Sequence, residues 1–210
     1  MRVLDLFCGA GGASMGLYRA GATEVVGVDL APQPRYPFVF MQRDALSLDV
    51  DELRAFDLIW ASPPCQRYSL YSRNIGTSSN HPDLVAPVRE RLRASGVPHI
   101  VENVVGAPLR SPTMLCGTMF GLPLLRHRLF ETSFRVGLVA PCRHRGDEIP
   151  VYGNGTPRWH LERLGRGLKI EEKRSAMGIE WMNRDELSQA IPPAYSEWLA
   201  RQWLAQRVAA

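Results

Sequence analysis

A short apolar run, Arg2-Val3-Leu4-Asp5-Leu6-Phe7, opens straight into Cys8-Gly9-Ala10-Gly11-Gly12 and then into helical periodicity through Met15, Leu17 and Tyr18, which Gly21 is placed to stop. A strand that turns on glycines directly into a helix lays that helix back across its own sheet, which commits the chain to a layered α/β architecture. The pattern recurs. Glu24 to Asp29, Phe38 to Gln42, residues 56 to 61 and Val97 to Val101 read as further strands, residues 84 to 95 as a helix, and Leu129 to Phe134 as a late strand. The expected fold is a mostly parallel sheet with helices on both faces. Ala194 to Val208 carries Trp198, Leu199, Trp203 and Leu204 at helical spacing and is expected to pack back on the body.

Pro63-Pro64-Cys65-Gln66 follows the fourth strand, and the two prolines end it with fixed φ angles and missing donors. Cys65 then stands at a strand's carboxyl end, where open α/β sheets bind ligands. The alternative for any cysteine is a small buried hydrophobe; here the proline context and the Ser-, Asn- and Gly-rich stretch from Gln66 to Asn80 favour a nucleophile beneath a mobile loop. A nucleophile of this kind needs an acid to activate its electrophile. Glu102, after the fifth strand, fits that role, with Asn103 beside it to orient the loop.

The glycine turn is a tight turn at least, and at a helix N-terminus it also suits an anionic ligand group. Position 14 is Ser, so the spacing departs from the dinucleotide fingerprint. Asp29 and Asp44, at successive strand ends, are each readable as a surface carboxylate or helix cap; together they suit a ribose and an adenine. S-adenosylmethionine is the nucleoside-bearing cofactor that fits best.

Net charge is +4 over 210 residues, and residues 126 to 174 hold 11 Lys or Arg against 6 Asp or Glu. The remaining residues then carry 14 basic and 15 acidic groups, so the whole excess lies in one segment. A solvated basic surface and a polyanion-binding appendage both fit. The length suggests one domain, the opening strand leaves no room for a signal peptide, and four cysteines without framework spacing fit a reduced compartment. A soluble cytoplasmic monomer without a membrane span is expected. Cys142 and His144, with Cys116 and His127 elsewhere, have ligand chemistry, but no CxxC pair organises them and no metal is expected. Trp181, Trp198 and Trp203 read as packing residues; Trp159, between Arg158 and His160, is the one placed to stack on a base.

In order, Asp5 to Gly12, Pro64-Cys65-Gln66, Glu102-Asn103-Val104 and Arg126-His127-Arg128-Leu129-Phe130 resemble motifs I, IV, VI and VIII of the cytosine-C5 DNA methyltransferases. Gln189-Ala190-Ile191-Pro192-Pro193 looks like motif X, although Ser188-Gln189 stands where the family usually has Gly-Asn, and Met177-Gly178-Ile179 looks like a remnant of motif IX. The resemblance implies a Rossmann-like class I S-adenosylmethionine-dependent methyltransferase, with small phage and prophage members of similar layout. It implies catalytic roles for Cys65, Glu102 and Arg128. Phe7, Gly9, Ala10, Gly12, Asp29, Asp44, Ala45 and Pro64, with Gln189 and Ile191, would bind the cofactor, and Gln66, Ser69, Asn103 and Arg126 the flipped nucleotide. The implied layout is a catalytic core over 1–134, a much reduced basic target-recognition segment over 135–174, and a return to the core over 175–210. So little protein between motifs VIII and IX predicts double-stranded DNA with a short or degenerate target. An RNA or tRNA cytosine methyltransferase, transfer of a modified methyl group, and a catalytically silent nucleic-acid-binding relative stand as alternatives.

Overall fold

The computed structural model describes residues 1–69, 74, 76–151 and 156–208. In chain order the elements are β1 (Arg2–Leu6), α1 (Gly12–Arg19), β2 (Glu24–Asp29), β3 (Val39–Gln42), α2 (Val50–Arg54), β4 (Leu58–Ala61), α3 (Val85–Ser95), β5 (His99–Asn103), β6 (Thr113–Leu115), β7 (Leu124–Leu125), β8 (Arg128–Thr132), β9 (Ile149–Pro150), α4 (Arg158–Leu164), α5 (Ile170–Met177), α6 (Arg184–Gln189) and α7 (Pro193–Val208). Among the described residues the main sheet has seven strands in the order β3-β2-β1-β4-β5-β8-β6. Strands β3 to β5 in that order pair in parallel, and β8 runs antiparallel to both of its neighbours.

Successive strand residues point to opposite faces, and the two faces meet different helices. Val3, Leu58, Trp60, Ile100 and Phe130 pack with Ala13 and Leu17 of α1 and with Tyr195, Leu199 and Trp203 of α7. Leu4, Leu6, Ile59, Ala61 and Val101 pack with Leu53 of α2 and with Val88 and Leu92 of α3. The expected helices on both faces are therefore present. A third cluster joins Ala10 to Leu124, Val151, Met177, Ile179 and Leu187, so the late chain packs on the glycine turn.

The sheet's far side is tied to α3 by charge. Arg89 and Glu131, both buried, meet at 2.7 Å through two parallel bonds, and Arg89 also donates to the Pro108 carbonyl.

Several boundaries differ from the sequence reading. β5 begins at His99, two residues later than expected, because Gly96 takes a left-handed φ of 71° and Pro98 has no N–H to give the ladder. Its Pro98 carbonyl still accepts from Ile59 at 2.9 Å. The shift carries Glu102 and Asn103 into the strand itself. The short elements α2 and α6 were not anticipated, although Asp49 with Glu52 and Asn183 with Glu186 form capping boxes that mark both starts.

Helices α1 and α7 approach closely because α1 carries glycine where they cross. A Cβ at Gly16 would lie 2.1 Å from both the Pro193 carbonyl and Ser196 Oγ. Ser196 Oγ in turn donates to the Ala13 carbonyl at 2.8 Å. The clash is with backbone, so Gly16→Ala is expected to destabilise the protein by about 1–3 kcal/mol or more, read as a lower denaturation midpoint at unchanged slope.

Candidate active site

Parallel strands in register end at one edge, and every chemically interesting turn lies there. Leu6 pairs with Val28 and with Ala61, Ala61 pairs with Val101, and Asp29 pairs with Gln42. The residues that follow, Phe7 to Gly12, Leu30, Arg43 to Ala45 and Ser62 to Gln66, therefore line up with Glu102. Strand β8 starts at this edge, which brings in Arg128.

A cavity of about 700 Å³ opens along the edge. Its walls include Phe7, Gly9, Ala10, Gly12, Asp29, Asp44, Ala45, Pro64, Gln189 and Ile191, and also Cys65, Gln66, Glu102 and Arg128. At one end the turn after β1 is held open. Phe7 takes φ 59°, a costly left-handed conformation for an aromatic residue, and Gly9 and Gly11 are left-handed too. Asp29 fixes this turn by accepting from Gly9 N–H and Ala31 N–H, both at 3.0 Å. Gly11 caps α1 without any side-chain hydrogen bond, and of the first N–H groups of the helix the one of Ser14 goes to the Asp5 carboxyl. A Cβ on Gly12 would strike the Ile191 carbonyl at 2.4 Å, so only glycine lets the late chain close this wall. Asp44 accepts from Leu46 N–H at 2.9 Å and sets the turn that carries Ala45.

At the other end, Arg128 Nε lies 3.1 Å from Glu102 Oε1, and both side chains are largely buried. Burial pushes the Glu102 carboxyl up, against the pull of Arg128, a hydrogen bond from Ser62 and the charge of Arg126. Burial also pushes the Cys65 thiol up, with the Glu102 charge adding to it, while Arg128 and Arg126 draw it back. The Cys65 carbonyl accepts from Tyr68 N–H at 2.9 Å and Ser69 N–H at 3.0 Å, which fixes the turn after the cysteine.

Three residues expected at the nucleotide lie away from the cavity wall. Asn103 is fully buried; its Nδ2 donates to the Pro63 carbonyl at 2.9 Å and its Oδ1 accepts from Val104 N–H, so it pins the cysteine loop to β5. Arg126 is buried behind the wall and donates to the backbone carbonyls of Val151 and, at 2.9 Å, of Ser188. Burial lowers its guanidinium to about 9. Ser69 is off the wall as well. Of the loop from Gln66 to Asn80, residues 70–73 and 75 lie outside the described residues. Around it, Tyr68 donates to Asp83 and Arg67 to the Ser79 and His81 carbonyls.

Two groups at the site escaped the sequence reading. Ser62 bonds Glu102 and accepts from Trp60 Nε1 at 2.8 Å. Asp5 is buried in mid-sheet and lines the cavity; Ser14 Oγ donates to its Oδ2 at 2.5 Å, and its Oδ1 has no partner. An acid inside an otherwise apolar strand was the available signal for it.

Residues 1–107 match the family model described as C-5 cytosine-specific DNA methylase, which is half of the chain. This chain belongs to that family. A curated relative, the type II methyltransferase M1.HphI of Haemophilus parahaemolyticus, is 32% identical over 92 aligned residues, covering 38% of this chain and 25% of the relative. The chain thus matches about a quarter of that relative's length. Solved structures with a similar fold include a putative DNA modification methyltransferase encoded within an E. coli prophage, with TM-score 0.63, 15% identity and full coverage of both chains. They also include the S. pombe Dnmt2 methyltransferase, with TM-score 0.63, 15% identity and 99% coverage of each chain. EhMeth of Entamoeba histolytica aligns with TM-score 0.64 and 10% identity over 99% of this chain and 98% of its own. The C-5 cytosine methylase chain therefore has the class I methyltransferase fold, and the family and fold imply use of S-adenosylmethionine.

Burial raises the Asp5 carboxyl to about 7. A raised folded-state value means that the neutral acid favours the fold, so this contribution is complete below the ordinary value of about 4 and is lost as pH rises through about 7. Thermal melts across that range are expected to slope downward with pH, and Asp5→Asn to flatten the slope.

Proposed function

We propose that this chain is a DNA (cytosine-5-)-methyltransferase that transfers a methyl group from S-adenosylmethionine to C5 of a flipped cytosine. The observation that carries the reading is that Cys65, Glu102 and Arg128 share the wall of one cavity with the glycine turn, Asp29 and Asp44. The cavity fits the cofactor on its own features: a volume suited to a nucleoside-sized ligand, the α1 N-terminus for a carboxylate, and Gly9, where nothing lies within 4 Å of where a side chain would begin. Phe7, Gly9, Ala10 and Gly12 would hold its amino-acid end, Asp29 its ribose, Asp44 and Ala45 its adenine, with Pro64, Gln189 and Ile191 closing the sides. When bound, the cofactor supplies the methyl group.

The protein's own groups do the rest. The Cys65 thiolate adds to C6 of the cytosine, forming an S–C bond, while Glu102 in its acid form protonates N3 and holds the exocyclic amine. The electron pair displaced from the C5–C6 bond makes C5 nucleophilic toward the methyl group. Loss of the C5 proton then expels Cys65 and restores the ring. Arg128 holds Glu102 in place and contacts the base O2. Burial shifts Glu102 toward its acid form, which suits proton donation to N3, and Arg128 and Arg126 offset the burial that disfavours the Cys65 thiolate. Asn103 acts as a positioning residue through the Pro63 carbonyl, and Gln66, on the cavity wall, approaches the extruded nucleotide, which must leave the stack to expose C6.

The 1–134 core, the basic 135–174 segment and the 175–210 return are read as catalytic, target-recognition and cofactor-closing parts. Trp159 and Leu161 of α4 are exposed beside Arg158 and Arg163, a surface suited to DNA contact. No described helix is long and apolar enough to cross a membrane, and a cytoplasmic site of action fits the four free cysteines. An RNA cytosine is the second reading, because one of the fold neighbours is a Dnmt2 methyltransferase.

With labelled cofactor, DNA is expected to take up label in preference to tRNA presented in parallel; the reverse preference would transfer the reading to RNA. A covalent adduct with 5-fluorocytosine DNA is expected for the wild type and is lost in Cys65→Ala, which keeps its cofactor affinity. Glu102→Gln is expected to lower kcat by about 10²–10⁴-fold, measured under saturating cofactor. Turnover by Cys65→Ala would overturn the mechanism.

A further inference from the structure

Outside the cavity, the fold assembles a second cluster that the mechanism does not use. Cys116, His127, Cys142 and His144 each offer a ligand atom, and the four atoms lie within 4.8 Å of one another. Cys116 Sγ is 3.3 Å from His144 Nε2, and Cys142 Sγ is 3.7 Å from His127 Nε2. The two imidazoles meet edge-on with centroids 5.0 Å apart. Zn–S and Zn–N bonds of about 2.3 and 2.0–2.1 Å in a tetrahedron set neighbouring ligand atoms about 3.3–3.8 Å apart, which is the spacing of these pairs.

We propose that these four residues bind a structural zinc ion that fastens the basic segment to the catalytic core. Two soft thiolates and two imidazoles in a four-point arrangement select zinc among common divalent ions, and four protein ligands leave no open position for catalysis. On binding, each thiol gives up its proton to solvent and each imidazole coordinates as the neutral ring, so the two thiolates balance the ion's charge. Thr118 Oγ1 donates to Cys116 Sγ at 3.6 Å and accepts from Arg143 N–H at 3.3 Å, an outer shell already in place.

The position gives the ion a purpose. Cys116 and His127 belong to the core, at the end of β6 and the start of β8, whereas Cys142 and His144 belong to the segment beyond β8. From Ser133 to Glu148 the chain forms no helix or strand, and Leu138 is fully exposed. Phe134, Val136 and Val139 pack its beginning on the main core, but residues 140–148, which carry Cys142 and His144, put no apolar side chain into a core cluster, and there a metal staple does most. His127 also lies between Arg126 and Arg128, and neighbouring residues of an extended chain point to opposite sides. The ion would therefore hold this stretch from behind while Arg128 faces Glu102.

The test is metal analysis of the purified full-length protein, independent of any methyl transfer. About one zinc per chain is expected, and cobalt(II) substitution should give the visible absorption of a tetrahedral site with thiolate-to-metal charge transfer. His144 is exposed, so His144→Ala spares the core packing; it should weaken zinc binding by at least the roughly 10–100-fold that losing an outer partner costs. Cys142→Ser should do the same, and Cys65→Ser should retain the metal. Chelation should lower the melting temperature of the wild type and leave that of His144→Ala unmoved. Folded wild-type protein without stoichiometric zinc, a Cys116–Cys142 disulfide in protein prepared under reducing conditions, or full zinc retention by the Cys142→Ser, His144→Ala double variant would each overturn the proposal.

Discussion

The register of the parallel strands is the constraint on which everything else rests. Because β1, β2, β4 and β5 end within two residues of one another in register, the turns after them open on one edge, and residues far apart in sequence become neighbours without any contact between them being specified separately. A one-residue slip in β4 would turn Trp60 from its place with Phe130 and Ile100 toward the opposite face, and the same slip would carry the Pro63-Pro64-Cys65 turn away from Glu102. Core packing and site assembly are thus enforced by the same hydrophobic alternation.

Asn103 converts that register into position. Its side chain reaches from the end of β5 to the Pro63 carbonyl, so the loop bearing the cysteine is fixed to the strand bearing Glu102 by a buried hydrogen bond. Arg126 has the same role on the other side, gathering the Val151 and Ser188 backbones to the start of β8. Asn103 thus orients the loop as its place beside Glu102 suggested, while the nucleotide contacts that the family resemblance implied for both residues give way to bonds with backbone carbonyls away from the cavity wall.

Much of the site was legible in order along the chain. Strand ends are marked by Gly, Pro and acids, and those marks pick out Gly9, Asp29, Asp44, Pro64 and Cys65. Less legible were the elements whose stability comes from elsewhere: β7 and β9, two residues each, exist because the late chain packs on Leu124 and Val151, and α4 and α5 lie in a stretch with weak apolar periodicity. The buried Arg89–Glu131 pair was invisible for a similar reason, since both residues read locally as surface charges.

The sequence by itself determined the class of fold and the chemistry on offer, because strand alternation, glycine turns and a proline-held cysteine are local properties that the backbone must obey. Tertiary structure alone decided which groups meet. It made Asp5 a buried, raised acid in the cavity and drew Glu102 to Arg128. It also brought the ligand atoms of Cys116, His127, Cys142 and His144 to within 4.8 Å of one another, although only Cys142 and His144 are close along the chain. Ligands from separate strands and loops are brought together by packing, and packing is a property of the whole sheet rather than of any stretch of residues.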